Sequence, residues 1–390
     1  MLEIIEDLPN KRVKISSSTH IPEIKTALFK TLYVPDPRLK GKVIQTLLEY
    51  VESKLKNPTY KMKPLIASRG HQITGFMIAL IHPTYRSYSR KCGTFGWLNA
   101  ADFESCKGLI FECEHFMREN KIRKLRGNIN FPKGLGGIGI QFKGFEHRMM
   151  YGVAFSDPNS HIIEYLVRLG YQKESEYTCM KVTKEVWPSG RLVSKDIRLG
   201  YLSLPELKER REDILELSKK CFQGSVPLPD TSGENRLDEV FDTYAQVPPS
   251  HYKLDYNFDP KVYSNIPEFI EAWENRDIEN IVNWAPLAFD RKTDKLVGAI
   301  ISAPDVYQMW LNEPITRNNV DTAMVDKNYA GKGIFSALNN IGQLTCNLNG
   351  VNYYEGTTIW YNNKDAINSI FPHCKHIRGH YVMQKRIKKR

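Results

Sequence analysis

No apolar run in this sequence is long enough to cross a bilayer. The most apolar stretch, Gly75–Ile81, falls far short of the roughly 20 residues that a spanning helix needs, so no membrane segment is expected. The start, Met1 to Asp7, is acidic and lacks the basic opening and apolar centre of a secretory signal. Paired cysteines are missing too: the 7 are odd in number, scattered, and nowhere spaced Cys-x-x-Cys. That argues against a disulfide framework or a zinc ribbon and for a reducing, cytoplasmic setting. What remains is ordinary globular material, 41% hydrophobic and 25% charged, which excludes a mostly disordered chain. At 390 residues the chain exceeds one usual core, and two domains of roughly 150–200 residues are expected. Lys and Arg (55) outnumber Asp and Glu (44), a net charge of +11. Such a surface attracts nucleic acid, anionic lipid or phosphorylated small molecules, without choosing among them.

Two halves with the same order of elements can be read. In the first, Val13–Ser16 alternates as a strand, and Pro22–Leu32 and Gly41–Leu55 have helical periodicity. Leu65–Ser68 and Thr74–Ile81 flank the turn Arg69–Gln72 as a hairpin, followed by a strand at Thr94–Asn99. Phe103–Asn120 is a helix, Leu125–Phe131 a strand, His161–Leu169 a helix and Glu176–Val182 a strand. The pattern stops at Trp187–Gly190 and restarts. A strand at Ile197–Ser203 and a helix at Pro205–Cys221 lead to an aromatic, Pro-rich stretch and a helix at Pro267–Glu274. Then come a hairpin around 290–295, a strand at Val320–Val325, a helix at Gly333–Cys346, a strand at Tyr353–Trp360, a helix at Lys364–Phe371 and a strand at His376–Ile387. The expected division is 1–186, a linker at 187–195, and 196–390.

The best chemical signal is in the second half. The strand ending at Val325 runs through Asp326–Ala330 into Gly331-Lys332-Gly333 and then a helix opening with Ile334 and Phe335. Glycines there let the backbone approach a pyrophosphate, the helix N-terminus favours an anion, and Lys332 adds positive charge. With the hairpin before it and Asn363-x-x-Ala366 after it, this segment resembles the GNAT superfamily of acyl-CoA N-acyltransferases. The family's loop commonly reads Tyr-Arg-Gly-Lys-Gly-Ile-Gly. This chain has Tyr329-Ala330-Gly331-Lys332-Gly333-Ile334-Phe335, departing at Ala330 and Phe335. The resemblance covers roughly Ile197–Ile387. A softer likeness of the first half, at Tyr33-x-x-Asp36-Pro37, Asn57-Pro58 and Gly144-Phe145, is to two-domain GNAT-related proteins.

The resemblance implies an α/β fold of two tandem GNAT-like domains, each a mostly antiparallel twisted sheet flanked by helices. It implies acetyl-CoA or another acyl-CoA as co-substrate, held by Ala330, Gly331, Lys332, Gly333, Ile334 and Phe335, with Met324 and Val325 on the pantetheine and Asn363 beside it. Acyl transfer to an amine needs a base, a stabilised carbonyl oxygen and a neutralised thiolate. The family's usual base position falls on Asn319, which cannot serve, so Asp321, two residues on, becomes the candidate, directly or through water. The usual Tyr acid falls on Ile370, beside Phe371, which leaves the acid unassigned. In the first half the corresponding helix start is Ala100-Ala101-Asp102-Phe103-Glu104-Ser105, without glycines and with two carboxylates. Only the second half is therefore expected to hold coenzyme, while the first shapes the acceptor cleft or dimerises.

Other features weigh less. Gly134-Leu135-Gly136-Gly137-Ile138-Gly139 satisfies Gly-x-Gly-x-x-Gly but opens into no helix, so a flexible loop or lid is expected instead of a dinucleotide site. Cys374, His376 and His380 share strand parity, yet match no standard zinc spacing, and no metal is assigned. Basic clusters at Lys121–Arg126 and Lys385–Arg390 sit in no nucleic-acid motif. Phe241, Tyr244, Tyr252, Tyr256, Phe258 and Tyr263 fall in the region that borders the acceptor site in GNAT-like folds, so the resemblance implies an aromatic acceptor wall there, with ordinary core and loop packing as the alternative. Three functions stay open: an N-acyltransferase acting on a small-molecule or peptide amine, a non-catalytic acyl-CoA-binding scaffold, and a basic nucleic-acid-associated protein.

Overall fold

A computed structural model describes residues 12–183, 193–222, 229–230, 236–248, 270 and 281–388. Trp187–Gly190, all of Pro267–Glu274 except Ile270, and the aromatic residues Tyr252, Tyr256, Phe258 and Tyr263 lie outside the described residues. Among the described residues the main sheet has 13 strands. Those of the first half are β1 (Lys14–Ser17), β2 (Lys61–Arg69), β3 (Gln72–Ile81), β4 (Gly93–Ala100), β5 (Lys124–Gly127), β6 (Ile140–Lys143) and β7 (Gln172–Val182). The second half supplies β8 (Ile197–Gly200), β9 (Leu287–Asp290), β10 (Leu296–Pro304), β11 (Arg317–Val325), β12 (Tyr353–Trp360) and β13 (Cys374–Arg386). Their order is β1-β2-β3-β4-β5-β13-β7-β12-β11-β10-β9-β8, with β6 also on β13. Among the described residues only β4–β5 and β11–β12 pair in parallel, which makes the sheet mostly antiparallel.

The two final strands are exchanged. β13 lies between β5 and β7, and β7 lies between β13 and β12. They pair with each other from Cys374 opposite Val182 to Gln384 opposite Gln172. Each half's fifth strand is thus completed by the other half's last one, a feature that periodicity along the chain does not reveal.

Helices cover both faces. They are α1 (Ile21–Thr31), α2 (Lys40–Leu55), α3 (Phe103–Glu119), α4 (Lys133–Gly136), α5 (Ile162–Arg168), α6 (Leu204–Glu209), α7 (Arg211–Phe222), α8 (Arg236–Gln246), α9 (Val306–Trp310), α10 (Ile334–Leu348) and α11 (Lys364–Ser369). The apolar stripe of α3 (Leu109, Ile110, Cys113 and Met117) packs on one face of the first-half sheet, and α1 and α2 cover the other. In the second half α10 takes the place of α3, and α7 and α8 cover the opposite face. The predicted single helix Pro205–Cys221 is two. A capping box of Ser203 and Glu206 starts α6, and the Arg210 N–H closes it on Glu206 and Lys208 before α7 begins.

Two local expectations are corrected. The predicted strand Leu125–Phe131 ends at Gly127, because Asn128 and Asn130 turn their side chains onto the backbone of β4 instead of continuing the ladder. Gly134–Gly139 is no flexible lid. Its residues are buried, the Asn130 side chain donates to the Gly136 carbonyl (2.9 Å), and Gly139 N–H donates to Asn128 (2.7 Å). Gly137 has φ +64° and a Cβ there would strike the Ala154 nitrogen, so only glycine fits.

A buried ion pair ties the halves together. Arg126 of β5 holds Asp230, from between α7 and α8, through Nε (2.9 Å) and an amino nitrogen (2.7 Å), both side chains fully out of solvent. Tyr177 donates to the same carboxylate at 2.6 Å, Tyr85 donates to its other oxygen, and Gln384 of β13 accepts from Arg126 at 2.7 Å. Arg126 is therefore no part of a basic surface. Its neighbour Lys124 donates to the Ser87 carbonyl (3.1 Å), and Lys385 is held by Glu114 (2.8 Å), so both basic clusters are partly spent inside the fold.

Candidate functional site

β11 and β12 pair from Arg317 opposite Tyr353 to Val320 opposite Gly356, and then part. Beyond that point β11 keeps its other edge on β10, with Met324 opposite Ala299 and Val325 opposite Gly298. One edge of residues 321–325 therefore faces an open wedge. Asp321 sits where the register with β10 slips by one, between Thr322 opposite Ile301 and Val320 opposite Ser302. It is half-buried and accepts from the Thr322 hydroxyl at 3.1 Å. Asn319 is committed elsewhere. Its amide donates to the Tyr151 carbonyl (2.6 Å) and accepts from Thr357 (2.7 Å), so it is a structural tie to the first half.

From the tip of β11 the chain makes the turn Lys327–Tyr329, started by Asp326, whose carboxylate accepts from Asn328 N–H at 3.0 Å. Gly331 and Gly333 follow with φ +76° and +74°, the left-handed region that favours glycine. Gly333 is the cap residue of α10 and has no side chain of its own to cap it. The residues expected to hold coenzyme thus form one feature: Ala330, Gly331, Lys332 and Gly333 are the loop, and Ile334 and Phe335 open the helix. Gly298 on β10 lets that helix start close in, since a Cβ there would lie 2.8 Å from Ile334 Cγ2. Lys332 Nζ stands 4.8 Å from the Tyr329 ring and 4.0 Å from the Asp196 carboxylate. Phe335 packs on the core beneath the loop together with Tyr329.

Of the two tyrosines nearby in sequence, one is hydrogen-bonded within the fold and the other is exposed. Tyr329 donates to Asp290 at 2.9 Å, and that bond pushes the phenol above its ordinary range and the carboxyl below its own. Tyr361 is 44% exposed and lies against Phe371 and His376. Asn363 caps α11, accepting from the N–H groups of Asp365 and Ala366. The Cys221 thiol, which sequence reasoning did not single out, donates to the Val325 carbonyl at 3.3 Å. Of the aromatic wall, the described Phe241 and Tyr244 are core residues, and Tyr244 donates to the Ser302 carbonyl at 2.5 Å.

The first half has the same wedge with different contents. β4 and β5 part after Phe95 and Gly127, but the Trp97 N–H donates to the Asn130 side chain (2.6 Å) and the Leu98 N–H to that of Asn128 (3.5 Å). At the N-terminus of α3 the Asp102 carboxylate accepts from the Ser105 N–H (2.8 Å) and pairs with Arg69 (2.9 Å). A carboxylate thus occupies the place where the second half has a glycine cap.

Cys374, His376 and His380 do not converge. The register slips between His376 and Arg378, His380 Nε2 faces the Ala154 carbonyl at 2.9 Å, and His376 meets Thr178 at 3.0 Å. Among the described residues no three His, Cys, Asp or Glu side chains group as a metal site, and no helix is long and apolar enough to cross a membrane.

This architecture, two wedge-bearing halves in one sheet, is the fold of tandem GNAT proteins. A tandem GNAT protein from the clavulanic acid biosynthesis pathway, solved without acetyl-CoA, matches over 97% of this chain and 100% of its own, at 9% identity and a TM-score of 0.52. A GCN5-related N-acetyltransferase from Sphaerobacter thermophilus matches over 98% of each chain, at 11% identity and a TM-score of 0.50. A conserved protein from Enterococcus faecalis V583, described as a probable N-acyltransferase, matches over 97% of this chain and 72% of its own, at 12% identity and a TM-score of 0.51. No protein-family model and no curated protein matches the sequence.

Proposed function

We propose that the second half binds acetyl-CoA or another acyl-CoA and passes the acyl group to an amine by direct attack, in a reducing cytoplasmic setting. The observation that carries this reading is the glycine-capped start of α10, with Gly331 and Gly333 both at positive φ, at the mouth of the wedge between β11 and β12. A helix N-terminus of this kind seats a pyrophosphate. Lys332 adds charge from the loop, Met324 and Val325 present backbone to the pantetheine, and Asn363 stands at the start of α11. Asp321 takes the amine proton, directly or through water. The attacking nitrogen then displaces the thiolate from the acyl carbon. The first half holds the acceptor side of the second in place through Asp230 and Asn319.

A second reading, coenzyme binding without turnover, draws on Asn319, whose amide is locked at the family's usual base position. One experiment separates the two. Calorimetry with acetyl-CoA is expected to show binding that Gly333→Val weakens by about tenfold or more, as a Cβ strains the left-handed backbone. Thiol release with a panel of amines is then expected, slowed at least about tenfold by Asp321→Asn with coenzyme affinity kept. Binding without thiol release favours the second reading, and absence of binding at millimolar coenzyme defeats both.

A further inference from the structure

The first half keeps the wedge but not its anion seat, and the wedge is not empty of chemistry. A cavity of about 350 Å³ opens where β4 leaves β5, at the small end of the range for small-molecule sites. We propose that this cavity is a second ligand site, built for a small hydroxylated amine and not for a phosphorylated coenzyme.

Three observations converge on that chemistry. First, the features that would receive a coenzyme are engaged within the chain. Asp102 sits on the start of α3 and would repel a phosphate, while the Trp97 and Leu98 N–H groups are spent on Asn130 and Asn128. Second, the walls carry hydrogen-bonding capacity that no described residue uses. Asn128 is 8% exposed, and among the described residues its side-chain N–H₂ donates to no partner. The side-chain oxygen of Asn99 likewise accepts from none, since only its amide nitrogen is engaged, with the Trp97 carbonyl at 3.1 Å. One donor and one acceptor in the same lining suit hydroxyl groups. Third, the wall carries a carboxylate without a cation. Asp157 accepts from the Asn159 N–H at 2.9 Å and forms no ion pair with any described residue. It stands close enough to Tyr33 that burial and this carboxylate together raise the phenol. Lys30, on the rim at the end of α1, is exposed. An ammonium group would donate a charge-assisted hydrogen bond to Asp157, with the Tyr33 ring in the same lining.

The test is calorimetry on the full chain with ethanolamine and glucosamine, and with ethylene glycol and glucose as their uncharged counterparts. It is run with and without saturating coenzyme A. At least one amine is expected to bind with a dissociation constant below about 10 mM and at least about tenfold more tightly than its counterpart. Asp157→Asn, which keeps the turn, is expected to remove that preference. Asn99→Leu, on a different element, is expected to weaken the amine as well, and both variants should melt close to the parent chain. Coenzyme A should leave amine binding unchanged, which keeps this site distinct from the coenzyme reading above whether or not that reading holds. Equal binding of amine and counterpart overturns the proposal. So does full binding by both variants, competition by coenzyme A, or no binding by either amine.

Discussion

His380 is fully buried on β13 with its ring nitrogen on the Ala154 carbonyl, and burial pulls its pKa down to about 4. The unfolded chain protonates this ring near pH 6.5, so between those values the unfolded state binds more protons than the native one. Stability from this group is therefore complete above about pH 6.5 and falls as the pH drops toward about 4, by on the order of 3 kcal/mol. Urea unfolding at pH 7 and pH 4.5 should show that loss in the parent chain and a shallower one in His380→Gln. The cysteines are the opposite kind of residue, inert across the same range. Burial pushes the Cys92, Cys106 and Cys374 thiols up to about 12, so none of these is a ready thiolate.

At the scale of elements, the most consequential contact joins β5 to the segment between α7 and α8. Desolvation raises the Asp230 carboxyl, but Arg126, Tyr177 and Tyr85 outweigh it and hold the group below its usual range. Asp230→Asn leaves the Arg126 charge buried without its counter-ion, and chemical denaturation should register a loss of about 3–5 kcal/mol. Replacing both partners, as Arg126→Met with Asp230→Leu, should recover most of it, because the desolvation cost goes with the charges. A double variant as unstable as the single one would mean that the tyrosines and Gln384 carry the tie. Nothing in the sequence marks this pair, since its members lie 104 positions apart. By contrast, the glycine loop was legible, because positive φ at Gly331 and Gly333 is a local demand that local residue types announce. The hairpins and α3 were legible for the same reason, through periodicity. Asn128 and Asn130 misled, as their side chains end β5 by bonding sideways to β4. The Gly134–Gly139 run misled too, with glycines that serve close packing against Ala154 and His380 instead of mobility.

The whole molecule is governed by the exchange of β7 and β13, which joins two similar halves into one sheet. Reading along the chain gives two units of like order, but strand pairing is a non-local choice, and alternation cannot say which half a strand completes. The exchange has a thermodynamic consequence. β13 supplies Val382, Met383 and His380 to contacts with first-half residues, and its backbone closes the edges of both β5 and β7. Removing residues 374–390 would therefore expose strand edges on each side of the gap, and the first half, which keeps every residue up to β7, would lose its core seam too. Hydrogen exchange read by mass spectrometry should show α3 of the first half and α10 of the second losing protection together, where independent units would lose only α10. The parent chain should likewise unfold in one transition, with the amides of α3 and α10 opening at the same denaturant concentration. Two separated transitions, or a first half left protected after β13 is removed, would show that each wedge is held by its own half and that the exchanged strands are only a seal between them.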